Sequence, residues 1–332
     1  MGKTKIAFVY YSHSTFVDYD YEILLKHFVI SRVEYKKIWD AFKIAKVVLK
    51  SDISFSWFAD GWAFFAVLFS KLFRKKSIVV VGGYDVACEP QINYGLCTKN
   101  KLRQWMSKFA LNNADILLPV SNSTKTECFK YLTRPRDLSV LYHGVNPEKF
   151  EPSGEKENNL VITVGGVNWS NLKRKGIETF VKSAKFIPEA HFVVIGKFID
   201  DSINYLQSIA TSNVEFTDFI SDDELLRYYQ KAKVYVQPSL HEGFGCSVAE
   251  AMLCECIPVV SEKGALPEVA GETGFYAPYG DEKATGDAIK EALKLGSSKG
   301  KEARERIKEI FSIEKREKGL TEILGGGMGE YD

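Results

Sequence analysis

Residues 238–252 read PSLHEGFGCSVAEAM, and in this segment a strand end, a turn with two glycines and a helix follow one another. Such a turn directs the free N–H groups of the helix N-terminus toward the carboxyl end of the strand, where phosphate groups bind readily. Glu242 lies in the turn, and Glu250 lies about two helical turns later. A carboxylate beside a phosphate site accepts hydrogen bonds from hydroxyl groups, so the segment favours a nucleotide sugar over a bare phosphate.

Short β-branched and aromatic runs alternate with helical patterns on both sides of this segment. The predicted strands are residues 6–10, 53–57, 78–81, 116–120 and 138–142, then 160–164, 191–195, 214–216, 234–237 and 257–260. Helices are predicted at 60–72, 176–185, 222–231 and 247–253. This alternation indicates parallel sheets with crossover helices. We therefore expect an α/β protein with two Rossmann-like domains, whose parallel sheets face an interdomain cleft.

A polar stretch with proline and glycine divides the chain. Residues 151–159 read EPSGEKENN and are predicted to be a linker between an N-terminal acceptor domain, 1–150, and a C-terminal donor domain, 160–311. A C-terminal helix is expected at 312–324. One option for this helix is that it returns to the N-terminal domain. The glycine-rich tail, 325–332, is expected to be flexible.

The composition excludes several classes of protein. The 332 residues are 45% hydrophobic and 26% charged, which is enough apolar material for two cores and excludes disorder and fibrous repeats. The longest apolar run, 62–69, is too short to cross a bilayer, and no signal peptide is evident at the start. The six cysteines include no C-x-x-C pair, so we expect a reducing, cytoplasmic setting without a disulfide framework.

Charge differs between the two halves. Residues 1–150 carry 22 basic and 13 acidic side chains, whereas residues 151–332 carry 22 and 30. Two basic clusters lie beside apolar or aromatic residues in the first half: Lys71, Arg74, Lys75 and Lys76, and then Lys99, Lys101, Arg103 and Lys108 around Trp105. They predict peripheral association with anionic membranes, and a merely solvated basic face is the alternative. No nucleic acid partner is expected.

Further short motifs occur in order along the chain. They are His143-Gly144-Val145-Asn146 with Phe150, Lys175-Gly176, Glu242-Gly243-Phe244-Gly245 with Glu250, and Gly264-Ala265-Leu266-Pro267 before Glu268. Together they resemble the retaining family 4 glycosyltransferases (group 1 type) of GT-B architecture. The resemblance extends over residues 5–320 and is strongest over 165–278. The order makes it specific, because any one motif alone is weak.

The resemblance implies transfer of a sugar from a nucleotide diphosphate donor, with retention at the anomeric carbon and front-face attack. Lys175 and Glu242 take the catalytic positions. The implied donor-binding residues are Gly166, Arg174, Gly196, Gly243, Phe244, Gly245, Cys246, Ser247 and Glu250. A UDP- or GDP-sugar is the expected donor, no metal or other cofactor is expected, and the acceptor is a glycan or a lipid-linked molecule.

The sequence departs from the family pattern at three places. Gly165 is followed by Gly166 where the family often has arginine, so Lys173 or Arg174 is expected to supply the second cation. The N-terminal Gly-Gly loop is replaced by residues 12–15, SHST, and the usual histidine after the fourth strand by residues 82–85, GGYD. The acceptor-side candidates, which are equally suited to form turns, are His13, Tyr84 and Asp85.

Three alternatives compete with this interpretation. A dehydrogenase needs G-x-G-x-x-G after a first strand, and neither half supplies it. Asp18-Tyr19-Asp20 matches the metal-binding D-x-D of the other major glycosyltransferase fold, but it is predicted to lie before the first helix and to cap it. A non-catalytic partner subunit of another glycosyltransferase stays open, because the acceptor-side histidine is replaced.

Overall fold

The computed structural model describes residues 3–325. Its strands are β1 (Lys5–Tyr10), β2 (Val29–Glu34), β3 (Ile53–Trp57), β4 (Lys76–Val81), β5 (Cys88–Glu89), β6 (Tyr94–Gly95), β7 (Ile116–Pro119), β8 (Glu157–Val164), β9 (His191–Ile195), β10 (Val214–Phe216), β11 (Ala232–Gln237), β12 (Ile257–Ser261) and β13 (Phe275–Ala277). Its α-helices are α1 (Thr15–His27), α2 (Asp40–Leu49), α3 (Gly61–Leu72), α4 (Lys101–Asn113), α5 (Asn122–Phe129), α6 (Trp169–Arg174), α7 (Ile177–Ser183), α8 (Ser202–Ile209), α9 (Asp222–Lys231), α10 (Cys246–Leu253), α11 (Leu266–Ala270), α12 (Glu282–Lys294), α13 (Ser297–Phe311) and α14 (Ile313–Gly325).

The first compact unit comprises residues up to Gly144 together with the chain from Ile313 onward. Its sheet has the order β2-β1-β3-β4-β7, and every pair is parallel. The inner strands are buried on both faces, which is why they read as continuous apolar runs. Helices α2, α3 and α4 pack beside one another on this sheet, and α14 packs against α1.

The second unit comprises Val145–Ser312. Its sheet has the order β10-β9-β8-β11-β12-β13, again with parallel pairs throughout. Helices α7 and α12 cover a core in which Phe180, Phe192 and Ile289 are fully buried. The loops that follow β8, β9 and β11 therefore emerge at one edge of this sheet, because the carboxyl ends of parallel strands coincide.

Some predicted boundaries differ from the structure. Residues 138–142 form no ladder: Leu141 N–H donates to the Pro119 carbonyl (2.9 Å), but no strand forms there. Strand β2 was not predicted; it is an edge strand in which Val33 alone is buried. Strand β8 begins at Glu157, inside the predicted linker. Of the predicted tail, residues 326–332 lie outside the described part of the chain.

The D-x-D residues do not cap the first helix. Asp18 and Asp20 lie within α1, whose N-cap is Ser14. The predicted helix start is too late, because Thr15, Phe16 and Val17 carry no strong start signal of their own. By contrast, Asp60 caps α3 as expected and accepts a hydrogen bond from Gly61 N–H (2.7 Å).

A disulfide joins Cys88 to Cys97, contrary to the expectation from the sequence. The two-residue strands β5 and β6 pair antiparallel, with Cys88 opposite Gly95. This small hairpin brings the two Cα atoms to 5.2 Å from each other, a proximity that the spacing of the cysteines does not indicate.

Among residues 3–325, no helix is both long and apolar enough to span a bilayer.

Candidate functional site

The backbone at Glu242 is held from two sides. Strand β11 ends at Gln237, and the loop that follows leads through Glu242 into α10. The Glu242 carbonyl accepts a hydrogen bond from Ala265 N–H (3.0 Å). Gly264 has a φ of +58°, and a Cβ there would lie 2.5 Å from the same carbonyl oxygen. Glycine is therefore required at 264 by both the backbone conformation and the close approach.

Four polar side chains converge on one oxygen of the Glu242 carboxylate. Oε1 lies 2.7 Å from Gln237 Nε2, 3.2 Å from Ser239 Oγ, 3.3 Å from Arg174 Nη1 and 3.6 Å from Lys175 Nζ. Burial alone would raise the pKa of Glu242, but Lys175 and Arg174 outweigh it and hold the pKa below its usual value. Glu242 is therefore an ionised hydrogen-bond acceptor at neutral pH.

The two cations come from the end of α6. Arg174 is its last residue, Lys175 is its C-cap, and the Arg174 carbonyl accepts from Leu240 N–H (2.7 Å), which joins this helix end to the loop of Glu242. A Cβ on Gly165 would lie 2.6 Å from Lys175 Cδ, so the absence of a side chain at 165 makes room for the lysine. Lys173 instead pairs with Glu178 (2.8 Å). The expected second cation is therefore Arg174 and not Lys173.

The remaining donor-side candidates surround this cluster. Gly165 N–H donates to the carbonyl of Ile195, the last residue of β9, so Gly166 and Gly196 lie on neighbouring strand ends. Gly245 is the N-cap of α10 and, as a glycine, contributes no capping side chain of its own. Around it, Phe244 is buried whereas three residues are partly exposed: Gly243, Cys246 and Ser247.

Glu250 lies farther along α10. It accepts a hydrogen bond from Tyr229 Oη (3.2 Å). Burial raises the pKa of Glu250, and burial also raises the pKa of Tyr229 well above its usual value. The two glutamates of the motif therefore differ: cations lower the pKa of Glu242, whereas burial dominates at Glu250.

A separate cavity of about 300 Å³ opens in the first unit, where β1, β3 and β4 end. Half of its lining residues are aromatic, and the Tyr11 ring stacks on Trp62 with centroids 5.1 Å apart. The full lining is Tyr10, Tyr11, Ser12, Val17, Trp57, Phe58, Asp60, Trp62, Tyr84, Asp85, Lys99 and Arg103. Tyr84 and Asp85 thus lie at this cavity. His13 is not among its lining residues and contacts Tyr10 Oη (3.3 Å) and Asp18 Oδ1 (2.9 Å).

A charged cluster in this cavity was not predicted from the sequence. Asp60, besides capping α3, accepts from Lys99 Nζ (2.9 Å) and from Arg103 Nη2 (2.7 Å). The Lys99 side chain is 3% exposed and its ammonium lies 4.6 Å from the centroid of the Tyr84 ring. The sequence analysis placed Lys99 in a basic cluster that contacts a membrane, but Lys99 precedes α4 and its side chain is buried in an ion pair.

Asp85 has a structural task at the same place. Its carboxylate accepts hydrogen bonds from Ala59 N–H (2.7 Å) and Gly83 N–H (2.9 Å). Complete burial raises its pKa to about 6. Asp85 therefore holds the loops after β3 and β4 together.

Among residues 3–325, no group of three or more histidine, cysteine or carboxylate side chains is placed to hold a metal ion.

Comparison with known proteins finds a match to a protein family within the second unit. Residues 158–294 match the family described as Glycosyl transferases group 1. The chain is 29% identical over 198 residues to the O-antigen chain mannosyltransferase RfbU of Salmonella typhimurium. The aligned region covers 58% of this chain and 55% of RfbU. It is also 29% identical over 237 residues to the capsular polysaccharide biosynthesis glycosyltransferase CapM of Staphylococcus aureus. That alignment covers 62% of this chain and 60% of CapM. The chain spans about half the length of the curated relatives it matches.

Solved structures support the fold over the whole chain. Anabaena Alr3699/HepE, solved in complex with UDP and glucose, superposes with a TM-score of 0.80 at 15% identity and covers 97% of this chain and 100% of that one. The predicted resemblance to group 1 glycosyltransferases is thus confirmed, as is the α/β fold of GT-B type with two parallel sheets.

Proposed function

Since residues 158–294 match the group 1 glycosyl transferases, we propose that this chain transfers a sugar from a nucleotide diphosphate donor to an acceptor, with retention at the anomeric carbon. The observation that carries the proposal is the convergence of Arg174 and Lys175 on Glu242 at the strand ends of the second unit. RfbU is named as a mannosyltransferase and CapM as a glycosyltransferase of capsular polysaccharide biosynthesis, and both names support the reaction class.

The proposed donor chemistry uses charges that are already in place. A diphosphate leaving group gains negative charge as the glycosidic bond breaks, and fixed cations lower the energy of that state by a few kcal/mol per group. Lys175 and Arg174 take this role together with the N–H groups at the start of α10. Glu242, kept ionised by these cations, accepts hydrogen bonds from hydroxyls of the donor sugar.

Two further parts of the donor are assigned by the same reasoning. Glu250 binds the ribose hydroxyls, for which a half-buried carboxylate with a tyrosine partner is suited. The departing phosphate takes the proton of the acceptor hydroxyl, because the front-face mechanism needs no protein base. UDP or GDP is the proposed nucleotide, and no metal ion is required.

The acceptor site proposed for the first unit is the aromatic cavity. Aromatic faces such as the Tyr11–Trp62 pair pack against the C–H faces of sugar rings, while Asp60, Lys99 and Arg103 provide polar partners for hydroxyl groups. A glycan or lipid-linked sugar is therefore the proposed acceptor. The mixed lining favours a saccharide over a purely apolar molecule.

The test is a donor assay with the purified full chain. UDP- and GDP-sugars radiolabelled in the sugar are offered with and without glycan acceptors, and hydrolysis and transfer are measured. Glu242→Gln is expected to reduce turnover at least 100-fold, with circular dichroism unchanged. Glu189→Gln, an exposed acid before β9, is the matched control and is expected to keep full activity.

A wild-type chain that neither hydrolyses nor transfers any sugar would favour the alternative of a non-catalytic partner subunit. Binding of a nucleotide without turnover would favour the same alternative. Equal activity of the two glutamine variants would remove Glu242 from the proposed machinery.

A further inference from the structure

The outer surface of α2, α3 and α4 in the first unit gathers large exposed apolar side chains. The helices form one layer on the sheet, because α2 packs beside α3 and α3 beside α4. Exposed members of this surface, named here the α2–α4 face, are Ile38, Trp39, Phe42, Leu49, Leu72 and Trp105. Apolar side chains that are grouped on one face mark an interaction surface, whereas single ones are ordinary.

The two aromatic residues at the start of α2 are the most prominent. Trp39 and Phe42 are 68% and 71% exposed, and their rings stack with centroids 6.4 Å apart. On the opposite side of the same helix, Ile44 and Val48 are buried against the core. Helix α2 therefore has its ordinary core-facing side and, in addition, an apolar group that points outward.

Cations outnumber carboxylates around this group, and the nearby Glu34, in β2, is partly exposed and pairs with Lys36 (3.1 Å). Residues 36–50 contain the exposed lysines Lys36, Lys37, Lys43, Lys46 and Lys50, and a single acid, Asp40. Asp40 is only 3% exposed and accepts hydrogen bonds from Lys36 N–H and Lys37 N–H. Helices α3 and α4, described over their whole length, contain no aspartate or glutamate and add further cations. No helix of the α2–α4 face thus exposes a carboxylate between its lysines.

We propose that the α2–α4 face rests on an anionic lipid bilayer, with Trp39 and Phe42 at the level of the acyl boundary and the lysines on headgroup phosphates. A groove of about 620 Å³ beside α2 offers room for such a phosphate. Its charged lining consists of five cations, Arg32, Lys36, Lys37, Lys43 and Lys46, and two carboxylates, Glu34 and Asp40, so the cations are in excess. The inference goes beyond the proposed function, because bilayer binding requires neither donor nor transfer.

Other occupants fit this surface less well. A second copy of the chain would bring two cationic faces together, which is repulsive. A nucleic acid would use the lysines, but it would leave Ile38, Trp39 and Phe42 without an apolar partner. Lipid satisfies both features, since the apolar side chains and the cations then meet different layers of the same bilayer.

The experiment is cosedimentation of the full chain with phosphatidylcholine vesicles, with and without phosphatidylglycerol, at low and high salt. We expect binding that depends on phosphatidylglycerol. Lys43→Ala with Lys46→Ala is expected to weaken it roughly fivefold per lysine at low salt. Trp39→Ser with Phe42→Ser is expected to abolish the binding that persists at high salt.

Matched controls come from the second unit. Phe219→Ser removes an aromatic ring that is 74% exposed, and Lys290→Ala with Lys301→Ala removes two exposed lysines. Both are expected to bind vesicles like the wild type, and circular dichroism verifies that every variant is folded. Absence of binding to phosphatidylglycerol vesicles, or equal losses in test and control variants, would overturn the proposal. Binding of duplex DNA without vesicle binding would assign the face to nucleic acid instead. No donor is present in these assays, so their result is separate from that of the transfer assay.

Discussion

Arg316 in α14 donates two hydrogen bonds to Asp20 in α1, from Nε to Oδ1 (2.5 Å) and from Nη2 to Oδ2 (2.7 Å). Both side chains are buried, although 296 residues separate them in sequence. Arg316 also donates to the carbonyls of Leu141 and Tyr142. One guanidinium thus connects the last described helix of the first unit to its first helix and to the segment before Gly144.

Removing one partner of this pair is expected to destabilise the protein strongly. Asp20→Ala leaves a buried guanidinium without its carboxylate, so the free energy of unfolding should fall by about 3 to 5 kcal/mol. The control is Lys26→Ala, which removes an exposed pair with Glu317 and should cost less than about 1 kcal/mol. Urea denaturation measures both. Equal, small losses would mean that the buried pair contributes little.

The space at Gly165 is expected to be required for activity. In Gly165→Ala the new methyl group would lie only 2.6 Å from Lys175 Cδ, so the lysine side chain would have to move and its ammonium would be displaced from Glu242. A displacement of about 1 Å is expected to reduce turnover up to about 100-fold, with little change in thermal stability because the lysine is flexible. Gly296→Ala, where a Cβ meets open space, is the control. Steady-state kinetics decide, and full activity of Gly165→Ala would show that Lys175 need not hold this position.

Chelation of divalent ions is expected to leave transfer nearly unchanged. In the proposed mechanism, Arg174 and Lys175 supply the positive charge that a metal ion provides in D-x-D enzymes. The measurement is initial rate with and without excess EDTA, on the wild type and on Asp18→Asn. Loss of activity on chelation, restored by manganese and abolished in Asp18→Asn, would instead support the D-x-D alternative.

The Cys88–Cys97 disulfide is expected to stabilise the segment that carries Tyr84 and Lys99 to the aromatic cavity. Closing so short a loop contributes about 2 to 3 kcal/mol in the chain-entropy model. Dithiothreitol should therefore lower the melting temperature of the wild type and leave that of Cys88→Ser unchanged. The variant should resemble the reduced wild type. A reductant effect of the same size in both proteins would have to come from elsewhere.

The sequence alone predicted five of the six strands of the second unit, its helices α7, α9 and α10, and three side chains of its cluster, Arg174, Lys175 and Glu242. Helix α9 was predicted at its observed limits, because a Ser221 cap, acids in the first turn and a terminal lysine all act locally. The strand, glycine turn and helix around Glu242 are likewise a local pattern. The motifs at 175–176 and 242–245, together with the neighbouring Arg174, therefore identified side chains that the structure joins in ion pairs.

Only the tertiary structure decided which charges meet. Lys99 reads as one more residue of a basic cluster, and its burial against Asp60 follows from the packing of α3 beside α4. Asp20 reads as part of a capping or metal motif, and its partner is Arg316, at the other end of the chain. Composition and periodicity report on neighbours within a few residues. A buried ion pair depends on which surfaces the folded chain removes from water together, and this information is not local to either residue.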